Sequence, residues 1–176
     1  GASIAGVRTI SAMKHVGVNV AADPLFTFAY TGVGGGMLLV TADEPGQHSS
    51  QNEQDNRNYA PFAKMALLEP SNSQECKEMT KAAFAISEQY DVPVLLRTTT
   101  RVCHSKSIVE CEEREEFEPI AYQKNTQKNL TVPAHSRILR AKVEERMQAL
   151  KEYSEACPFN YIVEGGKIGV VTSGMS

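Results

Sequence analysis

The hydrophobic and polar positions follow two different periods along the first hundred residues. A short strand is predicted at Thr9–Met13, and apolar runs typical of strands buried on both faces of a sheet occur at Met37–Thr41 and Val92–Thr98. Between them, apolar residues spaced by three and four predict helices over Ala21–Tyr30 and from Ser71 to about Gln89. Strands that alternate with helices in this way predict an α/β fold with a doubly wound, mainly parallel sheet.

Local signals mark the ends of the predicted helices. Ser71 and Gln74 have the spacing of a capping box, in which the serine oxygen accepts from a free backbone N–H. Gly32 is placed to end the first helix. The small residues of Gly1–Gly6 predict the last turn of a helix that closes on its final glycine. We therefore expect the chain to begin part-way through a domain.

The composition changes after the third predicted strand. Glu110–Glu118 contains six acidic residues and one basic residue, which predicts a solvated, self-repelling linker. An extended crossing over 119–132 leads to an amphipathic helix over Pro133–Ala156, and Lys167–Ser176 has the pattern of a buried strand followed by a polar turn. The predicted organisation has three parts: a domain over 1–118 that lacks its start, a linker and connecting helix over 119–160, and the first strand of a following, truncated domain over 161–176.

Composition and charge narrow the classes of function. The 18 basic and 21 acidic residues give a net charge of -3, so no broad positive field is present and nucleic-acid binding is excluded. No apolar run approaches the roughly 20 residues that a membrane span needs. The cysteines lack CxxC spacing, which favours reduced thiols in a cytoplasmic protein over disulfides or a metal site. These cysteines are Cys76, Cys103, Cys111 and Cys157.

Two polar clusters directly follow apolar runs. In parallel sheets ligands bind beyond the carboxyl ends of strands, so we expect the clusters to form two walls of a common crevice, with His15 facing the loop 48–57. Gly17, after the first cluster, allows close approach of the backbone. The first cluster comprises Lys14, His15, Asn19 and Asp23, and the second comprises Asp43, His48, Ser49, Ser50, Gln51, Asn52 and Arg57.

Each candidate also has a simpler interpretation, which the sequence leaves open. Arg57 can bind a carboxylate through two parallel N–H groups, or it can pair with Asp55 at the entry to a helix. Lys14 and His15 can form a site or a solvated surface pair, and His104 is more typical of a solvated loop than of the crevice. The glycines at 32–36 close a helix and precede a strand, the reverse of a dinucleotide fingerprint, so they predict a tight turn.

Three segments resemble a known family. They are Met13–Pro24 (MKHVGVNVAADP), Asp43–Arg57 (DEPGQHSSQNEQDNR) and Leu95–Arg101 (LLRTTTR), and they are similar to the α subunit of indolepyruvate ferredoxin oxidoreductase. The likeness continues weakly through 133–153 and 169–174, so that it spans nearly the whole chain. This resemblance implies a fold of the thiamine-diphosphate-binding, pyrimidine-domain type.

The resemblance also implies an activity and a set of partners. Enzymes of this family oxidatively decarboxylate indolepyruvate and other aryl pyruvates to acyl-CoA and pass electrons to ferredoxin. The implied cofactors are thiamine diphosphate with Mg²⁺, shared with other domains, and [4Fe-4S] clusters on other parts of the subunit, with CoA as co-substrate. The implied partners are the β subunit, ferredoxin and the remaining domains of the same subunit, in the cytoplasm.

The resemblance assigns roles to residues of both clusters. In related pyruvate enzymes an arginine of the equivalent loop touches the substrate carboxylate, and Arg57 matches that position. The glutamate that activates the cofactor is expected before Gly1, so the fragment alone is expected to be inactive. The alternatives are a catalytically silent assembly module and a thiamine enzyme for another 2-oxoacid. The predicted catalytic residues are His15, His48 and Arg57; the predicted cofactor contacts are Lys14, Val16, Gly17 and Asn19; the predicted substrate contacts are Ser49, Gln51, Asn52 and Arg57; no metal ligand is predicted.

Overall fold

The computed structural model describes residues 1–175 and contains a four-stranded sheet in which all strands are parallel. The strand order is β1-β2-β4-β3, so the chain crosses over β4 between its second and third strands. The predicted α/β fold with a parallel sheet is confirmed. The strands are β1 (Thr9–Lys14), β2 (Met37–Asp43), β3 (Ala66–Leu68) and β4 (Val94–Thr99).

Helices are present at the three predicted places, whereas the predicted extended crossing over 119–132 contains a short helix at Thr126–Asn129. The residues from Tyr59 to Leu68 form a short helix and β3. The long amphipathic helix has the bounds that its pattern predicted. None of the helices in the described residues is long and apolar enough to cross a membrane. The helices are α1 (His15–Val20), α2 (Ala22–Thr31), α3 (Tyr59–Ala63), α4 (Ser73–Tyr90), α5 (Thr100–His104), α6 (Thr126–Asn129) and α7 (Pro133–Ala156), and a 3-10 turn (Asn56–Asn58) precedes α3.

Strand β4 lies in the centre of the core. Its residues from Val94 to Thr98 are all buried. Because successive side chains of a strand point to opposite faces, both faces of the sheet are covered at this strand, as the doubly wound arrangement requires. Leu38 and Leu95 of the sheet pack in one apolar cluster with Ala83 of α4 and Val18 of α1.

The start of α4 differs by one residue from the prediction. Asn72, rather than Ser71, is the N-cap, and its side chain accepts from the Glu75 N–H over 3.0 Å. The Glu75 carboxylate reaches back to the N–H and hydroxyl of Ser71, over 2.7 and 2.8 Å. Gln74 is therefore not the reciprocal partner, because its amide donates to Glu78 and accepts from the Glu110 N–H.

Asp91 attaches α7 to the sheet domain. It follows α4 with a positive φ of 51° and accepts from the Val33 N–H over 2.8 Å and from Lys128 Nζ over 2.7 Å. Arg146 of α7 also pairs with Asp91 and donates to two carbonyls in the last turns of α2, those of Ala29 and Tyr30. The predicted connecting helix thus packs on the domain that precedes it.

The acidic segment Glu110–Glu118 is exposed, as predicted, but its charges do not simply repel one another. Lys81 Nζ lies 2.7 Å from Glu112 and 2.9 Å from Glu115, and these hydrogen bonds raise the pKa of Lys81 to about 12. Lys77 donates to the Glu110 carbonyl over 2.6 Å. The lysines of α4 thus compensate part of the negative charge, at a distance in sequence that a local charge pattern cannot reveal.

The segment predicted as a final buried strand is not a strand in the described residues. Ile168, Val170 and Val171 are 85%, 82% and 102% exposed, and none of the four strands pairs with them. An apolar run becomes a strand only where a neighbour can bond its backbone groups. At the other end, Gly1–Gly6 forms turns, with bonds from the Ala5 N–H to the Gly1 carbonyl and from the Gly6 N–H to the Ser3 carbonyl, and Gly6 has a positive φ of 91°.

Candidate functional site

A crevice of about 230 Å³ lies at the carboxyl ends of β1, β2 and β4. This is the edge at which parallel α/β sheets bind ligands, and Lys14 and His15 of the first polar cluster line it, whereas Asn19 and Asp23 do not. The helix after β4 forms one side, so His104, which is exposed at the end of that helix, also lines the crevice. The crevice is lined by Lys14, His15, Ala42, Asp43, Glu44, Thr100, Cys103 and His104.

His15 is the most distinctive residue of this crevice. Its side chain is 0% exposed, and neither ring nitrogen has a hydrogen-bond partner. A buried polar atom without a partner costs about 1–3 kcal/mol, so the fold carries this imidazole at a cost. The solvated-pair interpretation of Lys14 and His15 therefore fails for His15, whereas Lys14 is exposed.

Asp43 lines the same crevice as His15. The register pairs Lys14, the last residue of β1, with Ala42; His15 then begins α1, and Asp43 ends β2. Asp43 is 2% exposed, and its Oδ1 also lacks a partner. Two adjacent strand ends thus present a buried imidazole and a buried carboxylate oxygen that the described residues leave unsatisfied.

Arg97 holds the other oxygen of Asp43, and the sequence analysis missed this residue. Its Nε donates to Asp43 Oδ2 over 2.6 Å, and its guanidinium also pairs with Glu69, the residue after β3. Its Nη2 lies 3.7 Å from Asp55 Oδ1. The available signal was an arginine inside an apolar strand pattern, because a buried charge requires a partner.

Asn56 is a second missed residue and fixes the end of the polar loop. It is 1% exposed, its N–H donates to Asp43 Oδ2 over 2.8 Å, and its side-chain amide donates to the Thr41 hydroxyl. The loop therefore enters the 3-10 turn from a position set by β2. An asparagine beside the more conspicuous Arg57 gave no signal of its burial in the sequence.

Arg57 makes the local pair that the sequence had left open as the alternative. Its Nε donates to Asp55 Oδ1 over 2.9 Å, its Nη2 donates to Oδ2 over 2.7 Å, and its N–H is capped by Oδ1 over 3.0 Å. Hydrogen bonding from the Arg57 side chain, the largest cause, holds the pKa of Asp55 below its usual value. The Arg57 side chain is 50% exposed, so it remains accessible.

The predicted substrate contacts, Arg57 included, and the predicted catalytic residue His48 lie outside the crevice lining. Apart from Arg57, these exposed side chains are His48, Ser49, Gln51 and Asn52. The loop nevertheless contacts α1, because Asn19 donates to Gln54 over 2.7 Å and accepts from the Tyr59 hydroxyl over 2.6 Å. The prediction that His15 and the loop 48–57 line a common crevice is therefore wrong: of the second cluster only Asp43 lines it, and the loop contacts α1 through Asn19 instead.

The predicted cofactor contacts lie on β1 and α1. Val16 and Gly17 are half-buried in the first turns of α1, and Asn19 is exposed. A Cβ at Gly17 would lie 3.0 Å from the Met13 Cβ, so this glycine permits close packing of α1 on β1. Asp23 is exposed in the first turn of α2. All four cysteines are free thiols, and within residues 1–175 no three or more His, Cys, Asp or Glu side chains are grouped to hold a metal ion.

Comparison with protein families gives the class of this fold and site. Residues 1–156 match the model described as pyruvate flavodoxin/ferredoxin oxidoreductase, thiamine diphosphate-binding. Since this match covers most of the chain, the chain belongs to that family. The fold is that of the family's pyrimidine-binding domain, as the resemblance implied.

The names of individual relatives are more specific than the description of the family. The chain is 44% identical to "Indolepyruvate oxidoreductase subunit IorA" of Archaeoglobus fulgidus, over 100% of this chain and 29% of that protein. It is 46% identical to the protein of the same name from Methanothermobacter marburgensis, over 98% of this chain and 29% of that protein. The chain is also 42% identical to the protein of that name from Thermococcus kodakarensis, over 99% of this chain and 28% of that protein. The chain thus spans less than a third of these relatives, and no solved structure matches it.

Proposed function

We propose that this chain is part of the α subunit of an indolepyruvate:ferredoxin oxidoreductase and that the crevice at His15 forms one wall of its active site. The observation that carries the proposal is the pair of unsatisfied buried groups, His15 and Asp43 Oδ1, at the ligand-binding edge of a sheet from a thiamine-diphosphate-binding family. The names of the relatives support indolepyruvate as the substrate.

The residues present fit thiamine diphosphate. An aminopyrimidine ring carries both hydrogen-bond acceptors and an amino donor, so it complements a buried imidazole and a buried carboxylate oxygen. When bound, this cofactor supplies the electron sink for loss of carbon dioxide from a 2-oxoacid. We assign cofactor contacts to the β1–α1 connection, at Lys14, Val16, Gly17 and Asn19.

The side chains of the site have distinct roles in this proposal. A buried imidazole with both nitrogens unsatisfied can accept a proton at one nitrogen while it donates from the other, so His15 holds and moves a proton. Arg57 binds the substrate carboxylate through its guanidinium. His48 belongs to the catalytic set on the exposed loop, and Ser49, Gln51 and Asn52 donate to or accept from the polar end of the substrate.

The complete enzyme of this proposal converts aryl pyruvates to acyl-CoA in the cytoplasm, with ferredoxin as electron acceptor. It includes the β subunit, Mg²⁺ with the cofactor, CoA and [4Fe-4S] clusters on other parts of the α subunit. In this chain, residues 1–118 belong to the pyrimidine-binding domain, 119–160 form the connection, and 161–176 begin the next domain. The length of the relatives supports a larger subunit.

The test is reconstitution of the full-length α subunit with its β subunit. Reduction of ferredoxin should require thiamine diphosphate, CoA and a 2-oxoacid, and kcat/KM should be highest with indolepyruvate, lower with phenylpyruvate and lowest with pyruvate. A preference for pyruvate would show a thiamine enzyme for another 2-oxoacid. Activity that is insensitive to variants throughout the crevice would indicate an assembly role for this domain.

A further inference from the structure

We infer that Asp55 occupies Arg57 in place of the substrate carboxylate, so that the substrate binds by displacing an internal carboxylate. This inference rests on the proposed role of Arg57 and concerns the state of the site before substrate arrives. It makes Asp55 a positioning residue that sets the apparent affinity of the enzyme for 2-oxoacids.

The geometry of the pair is that of a bound carboxylate. Arg57 Nε donates to both oxygens of Asp55, over 2.9 and 3.0 Å, and Nη2 donates to Oδ2 over 2.7 Å. Asp55 therefore fills one edge of the guanidinium and neutralises its charge. An incoming carboxylate competes for the same cation, and its apparent affinity falls by the fraction of Arg57 that is already paired.

The pair of Arg57 and Asp55 lies where a substrate carboxylate can replace Asp55. The side chains of Arg57 and Asp55 are 50% and 40% exposed, and an ion pair in contact with water is weak. By contrast, the nearby pair of Arg97 with Asp43 is buried and held by the backbone of Asn56. Substrate can therefore separate the first pair while the second keeps the loop in place.

When the substrate binds Arg57, Asp55 can interact with a second cation. Its Oδ1 lies 3.7 Å from Arg97 Nη2. Oδ1 also accepts the Arg57 N–H over 3.0 Å, a cap that does not require the guanidinium. Displacement thus leaves Asp55 with both a hydrogen bond and an opposite charge, which lowers the cost of releasing Arg57.

The experiment measures how variants of Asp55, in the full α and β complex, bind a carboxylic acid ligand and its matched amide. Asp55→Asn removes the charge and keeps the capping oxygen, and Asp55→Ser provides a second capping variant. Calorimetry should show that indole-3-propionate binds about two- to fivefold more tightly to each variant than to wild type, while indole-3-propionamide binds unchanged. The KM for indolepyruvate should fall by the same factor with kcat unchanged.

Two further variants separate the outcomes. Glu53→Gln removes a neighbouring loop charge that pairs with the Gly46 N–H, and it should leave the affinity for the acid unchanged. In an Arg57→Ala background, Asp55→Asn should have no effect. If Asp55→Asn and Glu53→Gln act equally, or if neither acts while Arg57→Ala weakens acid binding, the inference is wrong and the role of Arg57 stands. If Arg57→Ala does not reduce the preference for acid over amide, the proposed role of Arg57 is itself wrong.

Discussion

Arg97 donates from Nε to Oδ2 of Asp43 over 2.6 Å, and the two side chains are 6% and 0% exposed. This buried pair joins the carboxyl ends of the two central strands. Because Asp43 and His15 line the same crevice, the pair also fixes a carboxylate at the edge of the sheet where the unsatisfied imidazole lies.

We predict that Arg97→Met lowers the free energy of unfolding by about 3–5 kcal/mol, because it leaves Asp43 charged and unpaired in the core. Chemical denaturation of the complete subunit measures this loss. Replacing both partners, with Arg97→Met and Asp43→Leu together, should recover part of it, since the buried carboxylate of Asp43 is then gone and only Glu69 is left without its Arg97 partner. A loss below about 1 kcal/mol for Arg97→Met would contradict the burial of this pair.

Arg57→Ala should lower kcat/KM for indolepyruvate at least tenfold in the full enzyme. Loss of a charge-assisted bond costs about 1.5–3 kcal/mol, and about 1.4 kcal/mol corresponds to one decade in rate. Arg57→Lys should recover only part of the activity, because a point charge cannot donate two parallel bonds. Thermal melting serves as the control for folding, and an unchanged kcat/KM in a folded Arg57→Ala enzyme would remove this residue from the site.

Asp91→Ala should lower the free energy of unfolding by about 2 kcal/mol, because it removes one carboxylate that serves Val33, Lys128 and Arg146. Asp91→Asn should retain roughly half of that contribution, since asparagine keeps one acceptor and tolerates the positive φ. Denaturant titration of both variants tests the prediction. Equal stability of wild type and Asp91→Ala would show that α7 docks without this residue.

Part of the loss of folding stability at low pH should come from protonation of Glu88. Hydrogen bonding from Arg8, over 2.8 Å to each carboxylate oxygen, is the largest cause that holds the pKa of Glu88 below its ordinary 4.5, against an opposing effect of burial. A carboxyl whose pKa is lower in the folded state stabilises fully above its unfolded pKa, and this contribution disappears as the pH falls through the folded value. Unfolding measured from pH 7 to pH 3 should therefore show a shallower loss for Glu88→Gln than for wild type. Identical slopes would refute the linkage.

The parts of the fold that repeat locally were predictable from the sequence. The period of α7 is carried by Leu139, Val143 and Leu150, all of which are buried, and the predicted bounds of this helix are those observed. The apolar run at 168–171 has an equally clear strand pattern, yet it forms no strand in the described residues. The difference is physical: a helix bonds its own backbone, whereas a strand depends on a neighbour that its own sequence does not specify.

Residues of the candidate site were predictable only where a reactive side chain directly follows a predicted strand. His15 stands out because it follows an apolar run, and the structure places it in the crevice. Arg97 and Asn56 acquire their roles from the contact between β2 and β4 and from the return of the loop to Asp43. Those contacts are long-range. The local pattern around Arg97 indicates that a buried charge needs a partner but not which partner it has, and Asn56 does not differ from an ordinary loop position.

The most direct test of the account is the effect of His15→Gln on the reconstituted enzyme. Glutamine retains hydrogen-bonding groups but cannot carry a proton, so kcat for indolepyruvate should fall by at least about a hundredfold while the unfolding temperature stays near that of wild type. His135→Gln, on the distant first turn of α7, is the matched histidine control and should change kcat less than about twofold. A His15→Gln enzyme that folds, binds thiamine diphosphate and turns over at the wild-type rate would contradict the central claim that this crevice is part of the active site.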